Sequence, residues 1–424
     1  MLGNIRKWLA PLTRSSFLRD VVKLSLGTIG GRLVSLAALP LVTRLYSPED
    51  YALLAVYIGA VSLFAVAACG RLEVAIPLAD ADDTAASLLV LSLVFLGVTV
   101  TITALLSMLA PLNVAELLGS RALAPYLWLV PFGVLVAGSY SVFQYWSTRA
   151  RRFGAIARTR ISQAILGVVT IISFGWAGII PFGLLLGNLF NIGAGGFSLA
   201  ANAIAHDRAL LGSISWAGLR RTLKTFRGYP LISTPEALLN VASVQVPILM
   251  IASHAGAEAG HFLLAMQVMS APMTLLGKSI SQVFISRAPE EMRQGRLASF
   301  TFAITRRLAL VGLPPIILIG LLAPLLFPWA FGADWARAGV LVAWMVPWIA
   351  LQFITSPIST VMYIADRQRS LLALTASGAV LKVGAILLAI QVSPGNEAVA
   401  LVLASTLFYA ICLFLFMWVA KNAS

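Results

Sequence analysis

Four ionisable side chains lie deep inside long apolar stretches of this 424-residue chain, namely Arg32, Lys278, Lys382 and Glu236. With a rise of 1.5 Å per residue, Arg32 and Lys382 lie roughly 14 Å and 18 Å inside the helices predicted around them. Charged groups at membrane depth are costly, so they usually face a cavity and carry function. Arginine can hold phosphate with a two-nitrogen fork, whereas lysine supplies a movable point charge. This net positive set therefore suits an anion that crosses a low-dielectric path.

Three of these charges belong to polar stripes with helical spacing. The stripes are Ser25, Thr28, Arg32 and Ser35; Ser233, Glu236, Asn240 and Ser243; and Gln267, Ser270, Thr274, Lys278 and Ser281. Polar side chains also join packed membrane helices, so interhelical hydrogen bonding is the alternative interpretation. A stripe centred on a charge favours a cavity lining, which makes Thr28, Gln267 and Thr274 candidate binding residues.

Glu236 has two further interpretations. It can pair with Lys278 or Arg32 and close the helices together. Alternatively, its carboxylate and the Asn240 amide, one helical turn apart, can hold a coupling cation or a proton. The sequence leaves these roles open.

The composition identifies the elements that must position these residues. Hydrophobic residues make up 59% of the chain and charged residues only 11%, whereas a typical soluble domain is about 25% charged. Such a chain can be neither a soluble globular protein nor a disordered one. Its apolar runs are too long for a membrane β-barrel. The sequence therefore predicts an all-α integral membrane protein.

Twelve transmembrane helices are predicted from the apolar runs, since a helix needs roughly 20 residues to cross a bilayer. They lie near 23–45, 51–72, 85–111, 123–147, 160–180, 182–204, 229–252, 261–285, 306–330, 338–364, 370–391 and 397–420. With this topology, 24 Lys and Arg residues fall on one side and three on the other. Because positive charge marks the cytoplasmic side, both termini are predicted to be cytoplasmic. The net charge of +14 is then a topological signal rather than a nucleic-acid footprint.

The predicted organisation is a basic cytoplasmic segment (1–22), a six-helix bundle (23–204), a cytoplasmic linker (205–228) and a second six-helix bundle (229–424). The two cysteines and three histidines have no disulfide or metal-site spacing. No nucleotide-binding loop or hydrolase motif is present in the sequence, so we expect neither an enzyme nor a cofactor.

Three stretches carry a family resemblance: Leu24–Thr28 with Leu39–Tyr51, Arg71–Asp80, and Gly256–Gln267. The first resembles the opening of the Wzx-type polysaccharide flippases, which belong to the multidrug/oligosaccharidyl-lipid/polysaccharide exporter (MOP) superfamily. The second is similar to the end of that family's second span, and the third to its seventh-to-eighth-span junction. The sequence departs mildly from the pattern, because Ala52 replaces the usual glycine after Pro-Glu-Asp-Tyr.

The resemblance implies two six-helix bundles around a central, often cationic cavity that works by alternating access without ATP. It implies a cargo of undecaprenyl-pyrophosphate-linked oligosaccharide, moved to the periplasmic leaflet of the bacterial inner membrane, with membrane lipid, a polysaccharide polymerase and other assembly proteins as partners. Family members often line the cavity from spans 1, 2, 7 and 8. This transfers to the residues Arg32, Arg71, Glu73, Glu236 and Lys278. Lys382 is expected to help hold the pyrophosphate.

Two rival functions follow from the same sequence. One is a drug or metabolite exporter coupled to Na⁺ or H⁺, although exporters of organic cations need acids and here the intramembrane bases outnumber the acids. The other is a membrane glycan polymerase or ligase, which generally needs a long extracytoplasmic segment that this sequence lacks. The glycan, the coupling ion and the oligomeric state are not determined by the sequence.

Overall fold

The computed structural model describes residues 16–212, 215–272, 278–365 and 367–422, and these are almost entirely helical. The helices of the N-terminal half are α1 (Ser16–Leu45), α2 (Pro48–Ala68), α3 (Asp82–Leu109), α4 (Pro111–Leu117), α5 (Leu129–Arg149), α6 (Phe153–Trp176), α7 (Phe182–Gly193), α8 (Gly195–Gly212) and α9 (Trp216–Thr225). Those of the C-terminal half are α10 (Thr234–Ala255), α11 (Ala257–Pro272), α12 (Lys278–Arg293), α13 (Leu297–Phe331), α14 (Ala336–Ile358), α15 (Val361–Ile364), α16 (Gln368–Val392) and α17 (Glu397–Asn422). Short 3-10 helices cover Leu72–Leu78, Arg121–Tyr126 and Ala333–Trp335, and a π-helical turn covers Tyr229–Ser233.

The predicted all-α membrane class is confirmed. Among the described residues, ten helical stretches are long and apolar enough to cross a membrane. Helix α5 is not among the ten, since polar side chains such as Tyr140 and Gln144 fill its second half. The predicted span 261–285 corresponds to α11 and α12, which lie on either side of the undescribed residues 273–277. The chain is a multi-pass membrane protein, and the exact number of twelve spans stays a prediction.

The turn between α1 and α2 shows how the local sequence specifies a helix start. The Ser47 backbone N–H donates to Asp50 Oδ2 at 2.8 Å, and the Asp50 N–H donates to Ser47 Oγ at 3.3 Å. This reciprocal capping satisfies two of the free N–H groups of the helix, and Pro48 at the first position needs no N–H partner. The Ser-Pro-Glu-Asp sequence therefore begins α2.

The described chain separates into two compact units. The first runs up to Ala38 and includes Ala60–Ala115 and Leu123–Leu238. In it, α3 packs on α5, α5 on α8, and α6 on α7. Helices α6 and α7 approach closely at Gly167. A Cβ atom added to this glycine would lie only 2.8 Å from the Gly187 carbonyl oxygen. Small residues at such crossings let membrane helices pack backbone to backbone.

The second unit comprises Leu39–Gly59, Glu116–Ala122 and the residues from Leu239 onwards. Its main contacts join α14 to α13 and α17, and α17 to α16. The end of α1, the following turn and most of α2 thus belong to this unit, although they are early in the sequence. The boundaries of the two predicted six-helix bundles stay predictions.

Candidate functional site

A cavity of about 210 Å³ lies within the second unit. Helices α10, α14, α16 and α17 contribute its polar and aromatic lining, which consists of Asn240, Ser243, Thr355, Ser356, Ser359, Thr375, Lys382, Phe408 and Tyr409. Aliphatic residues and Cys412 complete the wall. One amide, five Ser or Thr hydroxyls, the Tyr409 phenol and a lysine constitute the candidate site.

Lys382 is the charged residue of this lining. Its side chain is buried, with 7% of the residue exposed. The Nζ atom lies 5.0 Å from the centre of the Phe408 ring and 5.9 Å from that of Tyr409, so both rings stabilise the ammonium through cation–π attraction. No carboxylate of the described residues forms an ion pair with it. Lys382 therefore brings a positive charge to the cavity that aromatic rings, rather than an acid, support.

The position of Phe408 depends on a glycine. Gly378 lies one helical turn before Lys382 on α16, and a Cβ built on it would collide with the Phe408 ring. The missing side chain lets the ring approach the backbone of α16 closely. The ring can then extend beneath the lysine one turn further on.

Three hydroxyl groups of the lining are oriented by backbone carbonyls one helical turn before them. Thr355 donates to the Leu351 carbonyl at 2.8 Å, Ser359 to the Ser356 carbonyl at 2.8 Å, and Thr375 to the Leu371 carbonyl at 3.0 Å. Each hydroxyl hydrogen is thereby used, and the oxygen lone pairs remain as acceptors. The cavity thus offers acceptors for a hydroxyl-rich ligand and one cation for a negatively charged group.

Arg71 and Glu73 form a second polar pair, in the first unit. Arg71 precedes the 3-10 helix with a φ of 58°, in the left-handed region, and its Nη1 lies 3.9 Å from Glu73 Oε1. Glu73 is 4% exposed, and its Oε2 has no hydrogen-bond partner among the described residues. Burial raises the pKa of the Glu73 carboxyl, while a backbone hydrogen bond and the nearby Arg71 lower it by less.

Arg32 and Thr28 are both half-buried on α1, in the first unit. The neighbouring glycines of α1 face α6: a Cβ on Gly31 would lie 2.7 Å from the Arg160 carbonyl oxygen. This close approach fixes the rotation of α1 and hence the side from which Arg32 projects. The binding role of Arg32 stays a prediction.

The remaining predicted residues are less fully defined. Glu236 and Asn240 are exposed on α10, and Asn240 also lines the cavity that contains Lys382. Gln267 is half-buried on α11. Thr274 and the side chain of Lys278 lie outside the described residues. The predicted pairing of Glu236 with Lys278 or Arg32 stays a hypothesis, as does the predicted cation or proton site.

A polar network around Arg160 was not predicted from the sequence. The Arg160 guanidinium lies 4.9 Å from the centre of the Tyr140 ring, and its Nη2 donates to Gln144 Oε1 at 2.8 Å. The Thr159 hydroxyl lies 3.4 Å from Tyr140 Oη. The observed helix begins at Phe153, which places Arg160 about 10 Å beyond its start. The predicted span 160–180 begins at Arg160 itself, so no feature of the sequence indicated this network.

A second missed cluster ties α8 to the end of α5. Arg152 donates from Nη1 and Nη2 to the two carboxylate oxygens of Asp207, at 2.7 and 2.8 Å, and Trp146 Nε1 donates to the same carboxylate at 2.8 Å. Asp207 is the sole acid of the predicted linker 205–228. A single acid among many bases indicates such a pairing in the sequence.

Comparisons with known proteins agree with this architecture. Residues 41–339 match a family model described as polysaccharide biosynthesis protein. The solved structure of the lipid II flippase MurJ in an inward closed conformation is similar over 95% of this chain and 90% of that chain, with a TM-score of 0.66 and 15% identity. An inward-facing multidrug resistance MATE family transporter of the MOP superfamily is similar over 95% of this chain and 98% of that chain, with a TM-score of 0.64 and 16% identity.

A MOP superfamily transporter from Pyrococcus furiosus, characterised by reverse polarity of its binding pocket, is similar over 95% of this chain and 96% of that chain, with a TM-score of 0.58 and 15% identity. No curated protein sequence matches the chain. At these identities the structural similarity shows the fold alone, which is that of the MOP-type transporters.

Proposed function

Because the chain belongs to the polysaccharide biosynthesis protein family, we propose that it is a flippase for lipid-linked oligosaccharide. The cargo is an undecaprenyl-pyrophosphate-linked glycan, which crosses from the cytoplasmic to the periplasmic leaflet of the bacterial inner membrane by alternating access. The observation that carries this proposal is the buried Lys382 in a cavity lined with hydroxyl and amide groups. Both termini are cytoplasmic in this proposal, as the positive-inside rule predicts.

The chemistry of the cargo fits the residue types available. A pyrophosphate needs cations that follow it through a low-dielectric interior, and Arg32, Lys278 and Lys382 are the bases predicted at membrane depth. Sugar hydroxyls are donors as well as acceptors, and the oriented Ser and Thr oxygens of the cavity accept from such donors. The lipid tail stays in the bilayer, where it needs no polar partner.

The other polar residues have supporting roles in this proposal. The proposed binding surface also includes Arg71, Glu73, Thr28, Gln267 and Thr274. Glu236 and Asn240 hold a coupling ion or form a gate. A polysaccharide polymerase and other assembly proteins would receive the flipped glycan on the far side of the membrane. The protein acts as a transporter rather than as an enzyme.

The alternative is a drug or metabolite exporter that is coupled to a cation. The structural similarity to a multidrug resistance MATE family transporter favours it. The sign of the charge argues for the flippase, since the charged residue that lines the described cavity is a lysine, which repels organic cations.

The test is complementation of a deletion strain whose surface polysaccharide depends on this protein. We expect Arg32→Ala and Lys382→Ala to abolish or strongly reduce the polysaccharide at normal protein abundance in the membrane. Lys382→Arg keeps the charge and should retain part of the activity. Lys421→Ala, which removes an exposed base at the end of α17, is the matched control and should behave like the wild type.

Wild-type polysaccharide from both alanine variants would contradict the proposed sites. Accumulation of lipid-linked glycan in the cytoplasmic leaflet of the deletion strain is the direct sign of a flippase. If the deletion leaves the polysaccharide unchanged and overexpression lowers the accumulation of a cationic dye, the exporter is the better assignment.

A further inference from the structure

Helix α9 is a short amphipathic helix in the connection between the two halves of the sequence. Ser215 caps it, since the Gly218 backbone N–H donates to Ser215 Oγ at 3.1 Å. One face packs on α3, where Thr222 is buried and Gly218 lies next to Ser87. Leu219 and Leu223, on the same side of the helix as Thr222, are half-buried. The apolar face is thus already occupied by the protein itself.

The opposite face is basic and free of acids. Arg220, Arg221 and Lys224 on α9, and Arg227 just beyond it, are all exposed. None of the four forms an ion pair among the described residues. The sequence from 215 to 233 contains no Asp or Glu. At the margin of this face lies Trp216, which is 75% exposed.

Two other basic residues on the side predicted to be cytoplasmic have acidic partners within the protein. At the end of α12, Arg293 pairs with Glu290 at 2.6 Å, and just beyond it Arg296 pairs with Glu291 at 3.1 Å. Their charges are compensated within the protein. The four bases of the α9 face have no such partner among the described residues, which leaves their charge available to an anionic partner outside the protein.

The position and chemistry of this face identify its partner. The cytoplasmic leaflet carries anionic phospholipids that attract basic segments next to the membrane, and a tryptophan at the edge of such a segment prefers the headgroup region. We propose that the α9 face, defined by Trp216, Arg220, Arg221, Lys224 and Arg227, binds the phosphate groups of anionic phospholipids in the cytoplasmic leaflet. It anchors the connection between the halves to the membrane surface.

This inference does not depend on the cargo. The proposed transport site uses bases buried at membrane depth, whereas the α9 face is exposed and its ligands are lipids of the bilayer itself. The flippase proposal can fail while the lipid site stands, and the reverse also holds.

Native mass spectrometry of the full-length purified protein tests the proposal, with phosphatidylglycerol and phosphatidylcholine as equimolar probes. The variant R220Q/R221Q/K224Q/R227Q should lose the preference for phosphatidylglycerol. The ratio of bound phosphatidylglycerol to bound phosphatidylcholine should fall about tenfold, because each base near an anionic surface adds to the attraction. The variant R293Q/R296Q is the matched control, because those charges are already compensated, and it should keep the wild-type ratio.

A charge-conserving variant separates electrostatics from folding. R220K/R221K/R227K keeps every positive charge and should retain the phosphatidylglycerol preference, while the glutamine variant must elute as the wild type does in size exclusion. An unchanged lipid ratio in the folded glutamine variant overturns the proposal. Inorganic pyrophosphate is tested separately. If it binds the wild type but not the glutamine variant, while lipid retention stays the same, the face recognises a soluble anion and the proposal is also overturned.

Discussion

Arg337 donates hydrogen bonds from Nε and Nη2 to the carboxylate of Glu258, with Nη2 2.8 Å from Oε1. In the same cluster of the second unit, His261 Nε2 donates to the Asp334 carbonyl at 3.0 Å, and Trp335 Nε1 donates to the Thr43 carbonyl at 3.0 Å. The last turn of α1 and the start of α11 are therefore joined through the segment that precedes α14.

The first prediction concerns this ion pair. The Glu258 side chain is 10% exposed and that of Arg337 35%, so Arg337→Gln leaves a nearly buried carboxylate without its partner. We expect a loss of about 2 kcal/mol, below the range for a fully buried pair because the guanidinium is partly solvated. Thermal unfolding in detergent measures it. Glu290→Gln, which breaks an exposed pair on α12, is the control and should leave the unfolding temperature nearly unchanged.

The second prediction concerns Gly378, which makes room for Phe408. Gly378→Ala should displace the ring from below Lys382 and reduce polysaccharide export at normal protein abundance. Gly384 lies on the same helix, and a Cβ there meets no atom within 4 Å, so Gly384→Ala should be neutral. Equal activity of the two variants would show that the Phe408 contact does not matter for transport.

The third prediction is a pH dependence caused by Glu73. Its carboxyl pKa is raised in the folded protein, so the folded state holds the proton more tightly than the unfolded state does. Stability then falls as the pH rises from the unfolded value of about 4.3 through the raised pKa. Glu73→Gln should remove this loss and raise the unfolding temperature more at pH 8 than at pH 5. An identical increment at both values would argue against a titrating Glu73.

The fourth prediction concerns Asp207, which accepts hydrogen bonds from Arg152 and Trp146. Asp207→Asn removes the charge that the guanidinium faces and should cost about 1–2 kcal/mol. Amide hydrogen exchange should accelerate at the C-terminal end of α8, where Asp207 departs from helical geometry with a φ of −121°. Asp83→Asn is the control, because the described hydrogen bonds of the Asp83 side chain go only to the adjacent Thr84.

The sequence was sufficient for the membrane class and for most helices, because both depend on the length and polarity of local segments. The Ser-Pro-Glu-Asp turn is an example: its capping residues and its proline are adjacent in the chain, and α2 begins there. Helix α5 corresponds to a predicted span but is not among the ten helical stretches that are apolar enough to cross a membrane. Its residues Tyr140 and Gln144 are polar because they contact Arg160 within the first unit.

The candidate site was predictable only in part. The burial of Lys382 followed from a single base in an apolar run, and the structure agrees with it. Phe408 and Tyr409 could not be identified, because they come from α17 and their contact depends on helix rotation and on Gly378. The contacts of Arg160 could not be predicted for a related reason: a positive-inside count gives the side of the membrane on which a base lies, whereas only packing shows that Arg160 lies over Tyr140.

The aromatic support of Lys382 has an electrical consequence. Two rings stabilise an ammonium without neutralising it, so an empty cavity keeps its full charge inside the low-dielectric layer. A charge that changes depth in a polarised bilayer gains or loses energy in proportion to the voltage across it. Any conformational step that shifts α16 along the membrane normal therefore depends on membrane voltage when the cavity is empty. The same step depends less on voltage when a bound anionic cargo cancels the charge of Lys382.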